Sequence, residues 1–227
     1  VWLVKKPEIK NAKGDEVMRL PLARIPNWTI TNYDDIKSEW WVWNNPGKHQ
    51  DLRMKVGKAE FNACIDTVNL TEKPEFYKDA LVWTEWGYVM GTPYPTRVEG
   101  FDPKKKMMAF RSPWGGRVGE RFIRNNRYYL EDKPRFLDDP KGEFWFDKKG
   151  DGGTIHVILP EGLKPSEVRV EAGKRSDLIL AKKMDNIVIS GIGFRFTNTY
   201  WDITATPSGR RPDVDNASIK LRGSGEN

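Results

Sequence analysis

Leu137-Asp138-Asp139-Pro140-Lys141-Gly142-Glu143-Phe144-Trp145-Phe146-Asp147 is the stretch on which the fold reading turns, together with Thr154-Ile155-His156-Val157-Ile158-Leu159-Pro160 and Asn186-Ile187-Val188-Ile189-Ser190-Gly191-Ile192-Gly193-Phe194-Arg195-Phe196 downstream. Pro140 to Gly142 has the composition of a tight turn. In the strand that follows, period-two alternation sends Phe144 and Phe146 to one side and Trp145 to the other. Glu143 and Asp147 are expected to brace the turn rather than do chemistry. Asp147 to Gly153 reads as a hairpin loop leading into Thr154.

Outward from there, apolar segments of about 4 to 8 residues, rich in Val, Ile, Trp, Tyr and Phe, alternate with glycine and proline turns, which is strand chemistry. Twenty Gly and 15 Pro set that density of turns. Val1-Trp2-Leu3-Val4 and Val17-Met18-Arg19-Leu20 flank a turn, Ala80 to Met90 reads as one long, mostly buried strand, and Lys106 to Phe110 as another. A turn is expected at Glu99 to Pro103. Helix is confined to short pieces: one or two turns at Asp34 to Trp43, one at Lys73 to Lys78, and a short helix at Asn125 to Asp132. No sustained 3.6-residue periodicity occurs, so the chain reads as mainly β. A boundary is placed at 150, between a sandwich-like or barrel-like β domain (1–150) and transition strands (151–227). In the second part Val168-Val170, Leu178-Leu180, Ile187-Ile189 and Phe194-Phe196 recur at a near-regular interval, with Ile219-Leu221 after a longer insertion. Asn186 to Gly191 alternates as a solenoid rung does, with Ile187 and Ile189 inward and Gly191 at the bend; at least about three such rungs are needed to bury their own apolar face.

Further pieces stand in a recognisable order: Met18, Leu22-Ala23-Arg24-Ile25-Pro26-Asn27, Asp79-Ala80-Leu81-Val82-Trp83 with Trp86, then the quoted turn, strand and rung. This order resembles the entry to a right-handed parallel β-helix in secreted carbohydrate-active proteins, chiefly glycoside hydrolases. The likeness spans most of residues 18–198. Lys141 is inserted between Pro140 and Gly142, and Asp132 stands where that family has asparagine. The resemblance implies an accessory β domain leading into the first coils of the β-helix. It also implies a secreted, periplasmic or cell-surface location and a role on polysaccharide or oligosaccharide. The leading expectation is a glycoside hydrolase with paired carboxylates, most of its active site lying on later coils. The rivals are a non-catalytic glycan-binding or adhesive β-helix protein, and a polysaccharide lyase or epimerase on the same scaffold. On this reading a further part of the polypeptide, or another chain, caps the open end of the coil.

Hydrolysis needs two carboxyl groups, roughly 5 Å apart for retention and about 6.5 to 9.5 Å for inversion. Between Thr197 and Asn216 the candidates are Asp202, Asp213 and Asp215, although for Asp213 and Asp215 a solvated loop opening a strand is the favoured reading. Tyr200 and Trp201 are candidate sugar platforms, and Arg195, Arg210 and Arg211 candidate carboxylate or sulfate binders. Ten tryptophans exceed the needs of a core this size, so some are expected to face solvent or ligand. If Trp40-Trp41-Val42-Trp43 is a strand, Trp41 and Trp43 share one side and Trp40 takes the other. Trp40 and Trp41 are the candidate surface contacts, while Trp83 and Trp86 are read as core.

Composition narrows the field. The 38 Lys+Arg against 32 Asp+Glu leave a net charge of +6, interspersed rather than blocked. That suits acidic polysaccharide or solubility, and without a groove-reading helix it makes no case for nucleic acid. Cys64 is the single cysteine, so an intramolecular disulfide and a multi-thiolate metal site are excluded. No cofactor is expected; calcium would enter only on the lyase reading. No apolar run approaches the ~18 residues of a membrane helix. The chain opens at Val1 without methionine, and its start is read as processed, cloned or incomplete, so no compartment is read from a leader.

Overall fold

The computed structural model describes residues 2–5, 17–46, 49–50, 52–86, 93–112, 122–123, 125–173, 175, 177–182, 187–194 and 219–222. These are mainly β, with one four-residue α-helix, Pro74–Tyr77, and 3₁₀ turns at Pro134–Phe136 and Pro165–Glu167. None of the described helices is long and apolar enough to cross a membrane.

The largest unit is an eight-stranded sheet. Its path runs Arg24–Ile25, Arg127–Glu131, Leu81–Glu85, Pro93–Asp102, Met107–Phe110, Ala59–Ile65, Arg53–Val56, and Trp41–Val42 also pairs with Arg127–Glu131. All its pairings are antiparallel. Asn44 N donates to Ile65 O at 2.9 Å, but no strand pairing among the described residues closes the ladder. The expected barrel or sandwich is thus an open, antiparallel sheet.

One face of this sheet holds the core. Tyr128 and Leu130 point inward from Arg127–Glu131, Val82 and Thr84 from Leu81–Glu85, and all four are fully buried. The Trp43 and Tyr128 rings stack at 3.5 Å with 5° between planes. Each of their polar atoms is satisfied, as burial requires: Trp43 Nε1 donates to Thr84 Oγ1 at 2.8 Å, and Tyr128 OH donates to Asp66 Oδ2 at 2.7 Å. Asp66 Oδ1 in turn accepts from the backbone N–H of Val68 and Asn69. Cys64 is wholly buried beside Asn45, whose Nδ2 lies 3.9 Å from Sγ, and burial pushes its thiol pKa well up. Trp86 is core as expected.

The helix expected at Asn125 to Asp132 is instead the strand Arg127–Glu131. Paired tyrosines favour a pleated surface, and the segment finds neighbours on both sides. Asn125 at φ 83° and Asp132 at φ 69° bracket it. The turn expected at Glu99 to Pro103 falls later. The strand runs on to Asp102, whose Oδ1 accepts from Lys104 N and Lys105 N across the turn. Asp34 to Trp43 forms bonded turns and then the short strand Trp41–Val42, while the single helical turn inside Lys73 to Lys78 is present.

The quoted turn behaves as its residues require. Gly142 N donates to Asp139 O at 3.0 Å, and Glu143 Oε1 accepts from Asp138 N and Asp139 N. The hairpin Glu143–Lys149 with Gly152–Ile158 turns more tightly than expected, at Gly150 and Asp151. Trp145 packs toward the main core, and Phe144 toward a second cluster with Leu20 and Val168. Phe144 also exchanges backbone bonds with Pro21 and Ala23, so the quoted segments 22–27 and 137–147 meet in space.

Of the expected rungs, Leu178-Leu180 and Ile219-Leu221 pair in parallel, and the others do not join them among the described residues. Val168–Glu171 is antiparallel to Trp2–Lys5, which also pairs with Val17–Arg19. Ile187, Val188 and Ile189 lie in no strand and are 59%, 89% and 41% exposed, so the expected inward isoleucines are not buried. Alternation alone does not create a rung; a neighbouring strand must take its hydrogen bonds. Phe194 is outside any strand, and Arg195 and Phe196 lie outside the described residues. Ile219–Arg222 pairs instead with Ile179–Lys182, in parallel, with Ile179 opposite Ile219.

Gly142 sits at φ 99°, and a Cβ there would meet Pro160 Cδ and Cγ at 2.8 Å. Gly142→Ala is expected to cost about 1–3 kcal/mol in urea unfolding, from strain plus overlap. Gly150→Ala, at φ 58° with nothing within 4 Å, should cost less. Equal losses would show that the contact with Pro160 is irrelevant.

Candidate functional site

Period two puts every second residue of the large sheet on the face opposite the core. Cross-strand partners share that face. Glu131 is opposite Arg24 on one side and Leu81 on the other, Tyr129 is opposite Trp83, and Leu81 is opposite Arg97. One face therefore gathers Arg24, Tyr129, Glu131, Trp83 and Arg97 from four strands.

Arg24 is 3% exposed. Its guanidinium carbon lies 3.6 Å from the Tyr129 ring centroid, 5.0 Å from Trp28 and 5.7 Å from Trp40. Its Nε donates to Pro26 O at 3.0 Å. Burial lowers its pKa, and Tyr129, Glu131 and Glu143 oppose that shift. Trp83 stacks on Tyr129 at 5.9 Å and 8°, while Trp40 meets Tyr129 edge-on at 4.5 Å and 74°. Cation–π contacts with rings this close stabilise a desolvated guanidinium.

Glu131 is partly buried beside them, and its Oε1 accepts from Trp83 Nε1. Burial raises its pKa to about 7, aided by Asp132 and opposed by the Trp83 hydrogen bond, Arg24 and Arg97. Asp132 Oδ2 accepts from Arg97 Nη1 at 2.8 Å, and the same nitrogen donates to Asp79 O at 2.9 Å. A carboxyl that titrates near neutrality keeps its proton part of the time and serves as donor or acceptor.

The segment 26–40 crosses this face. Lys37 pairs with Glu85, and Asp35 with Arg127, which holds the Asp35 carboxyl below its usual range. Glu85 Oε2 also accepts from Arg127 N at 2.8 Å. Trp28, 46% exposed, forms the outer wall of the aromatic group. Among the described residues no group of three His, Cys, Asp or Glu side chains is arranged to hold a metal ion.

Of the residues singled out in the sequence, Trp40 belongs to this site. Trp41 turns to the core side, edge-on to Tyr128 at 5.7 Å. Trp83, expected in the core, stands on the opposite face, because Val82 and Thr84 take the inward positions. Asp202, Asp213, Asp215, Arg195, Tyr200, Trp201, Arg210 and Arg211 lie outside the described residues. Arg24, Trp28 and Glu131 were not singled out, since only strand register brings them together. The chain matches no family model, no curated protein and no solved structure.

Because the folded pKa of Glu131 is raised from 4.5 to about 7, ionising it opposes folding. Its contribution is neutral below about pH 4.5, turns unfavourable as pH climbs toward 7, and is fully unfavourable above that. Glu131→Gln should therefore flatten the decline in urea midpoint between about pH 5 and about pH 8. An unchanged slope would place the titration elsewhere.

Proposed function

We propose that this chain handles polysaccharide, at or outside the cell surface, and that its described residues supply a glycan-binding face. The observation carrying this reading is the group Trp28, Trp40, Trp83 and Tyr129 around Arg24 and Glu131, on a sheet face turned away from the core. Sugar rings offer apolar C–H faces to indole and phenol rings, and hydroxyls to charged groups, so a carbohydrate site needs both kinds of partner.

Cleavage of O-glycosidic bonds is a second reading, favoured by Glu131 alone. A carboxyl raised to about 7 has the character of a general acid. Hydrolysis needs a second carboxylate, and the nearby acids are engaged: Asp132 with Arg97, and Glu85 with Lys37 and Arg127 N. On that reading the partner carboxylate comes from Asp202, Asp213 or Asp215, or from further sequence.

Affinity electrophoresis through gels containing neutral or acidic polysaccharides tests the proposal. At least one polysaccharide should retard the protein. Trp28→Ala and Trp40→Ala should each weaken retention about tenfold, about 1.4 kcal/mol, with urea midpoints little changed for the exposed Trp28. Migration unaffected by every polysaccharide would sink the glycan reading, and release of reducing ends would favour the hydrolase.

A further inference from the structure

We infer that Arg24 is the anchor of an anion subsite that takes the carboxylate of an acidic sugar, its ring lying against Trp28 and Trp40. This rests on the glycan reading above and names its ligand class.

The geometry is that of a guanidinium built in and left partly unused. Arg24 is 3% exposed, yet among the described residues its guanidinium makes one hydrogen bond, from Nε to Pro26 O, while its backbone N–H serves Glu143. Its other contacts are ring faces, which take charge but no hydrogen bonds. With Nε engaged, Nη1 and Nη2 remain as an end-on pair of donors, the fork that matches the two oxygens of a carboxylate. Trp28 is the exposed member of the ring group, so the approach from solvent passes beside it.

The acids around Arg24 do not cancel it firmly. Glu143, on the hairpin strand Glu143–Lys149, spends Oε1 on Asp138 N and Asp139 N, while its Oε2 is buried with no hydrogen-bond partner. Burial raises its pKa. Glu131 on the neighbouring strand accepts from Trp83 and titrates near neutrality, faced also by Tyr129, Asp132 and Arg97. Asp132 is held by Arg97. A carboxylate arriving at Arg24 adds negative charge beside Glu131, which then takes up a proton. Ligand and proton bind together, so affinity drops as pH rises above about 7, by up to about tenfold per unit.

Isothermal titration of the whole chain with a uronic-acid trisaccharide, its carboxyl-reduced neutral counterpart and sodium acetate tests this between about pH 6 and about pH 8.5. The uronate is expected to bind at least about tenfold more tightly than the neutral sugar, with proton uptake and weakening at high pH. Glu131→Gln should lose the pH dependence of uronate binding. Arg24→Lys should abolish the preference for the uronate over its neutral counterpart. If both sugars bind alike at every pH, the anion inference is overturned and the glycan reading stands. If acetate alone binds, and does so through Arg24, the anion subsite stands and the glycan reading falls. If none of the three binds, both fall. Should Arg24→Lys fail to fold, the Glu131→Gln profile decides: a pH dependence equal to that of the native chain overturns the coupling.

Discussion

Tyr128 is fixed at its ring, its hydroxyl and both edges of its backbone, and its direction sets the face of the strand it stands on. Its ring stacks on Trp43, its hydroxyl is bound by Asp66, and its backbone lies between Trp41 on one side and Thr84 on the other. Fixing Tyr128 inward fixes the phase of the whole strand. A slip of one residue would turn Tyr129 and Glu131 into the core and Leu130 away from it. The fully desolvated core therefore determines which residues stand on the opposite face, before any requirement of the site is considered.

On that opposite face two effects of burial work against each other. Removing Arg24 from water lowers its pKa, and removing Glu131 raises its own. Each charge is what keeps the other from neutralising further, and aromatic faces fill the space where water would otherwise screen them. The result is a guanidinium beside a carboxyl that titrates near neutrality, within a wall of rings, a combination that suits a ligand with both apolar and ionic parts. Lys37–Glu85 and Asp35–Arg127 tie the segment 26–40 down beside it. The aromatic wall, which draws Trp28 and Trp40 from the ends of that segment, is thereby set relative to the sheet.

Elements that depend on local chemistry were legible in the sequence. Pro140 and Gly142 mark their turn, Glu143 braces it, the phase of Phe144 and Trp145 follows, and Trp41 and Trp43 share a side. What depends on partners distant in sequence was not. Arg127–Glu131 becomes a strand because Leu81–Glu85 and two edge strands are there to pair with it. Ile187 and Ile189 carry the alternation of a rung but have no neighbouring strand among the described residues, so they stay exposed. Arg24 and Glu131 form a site only through a register that joins the two edges of one strand to segments far apart in the chain. Trp83 faces away from the core for the same reason: its face is set by Val82 and Thr84, whose inward direction follows from Tyr128.

Cys64 carries a consequence for how this molecule is watched. It is the single thiol, it is wholly enclosed, and its pKa is pushed well up by burial, so in the folded chain it is neither reachable nor ionised. An alkylating reagent meets it only when the sheet around it has come apart. The rate at which label accumulates under native conditions is then a clock for the opening of the core, read at one atom without any engineered probe.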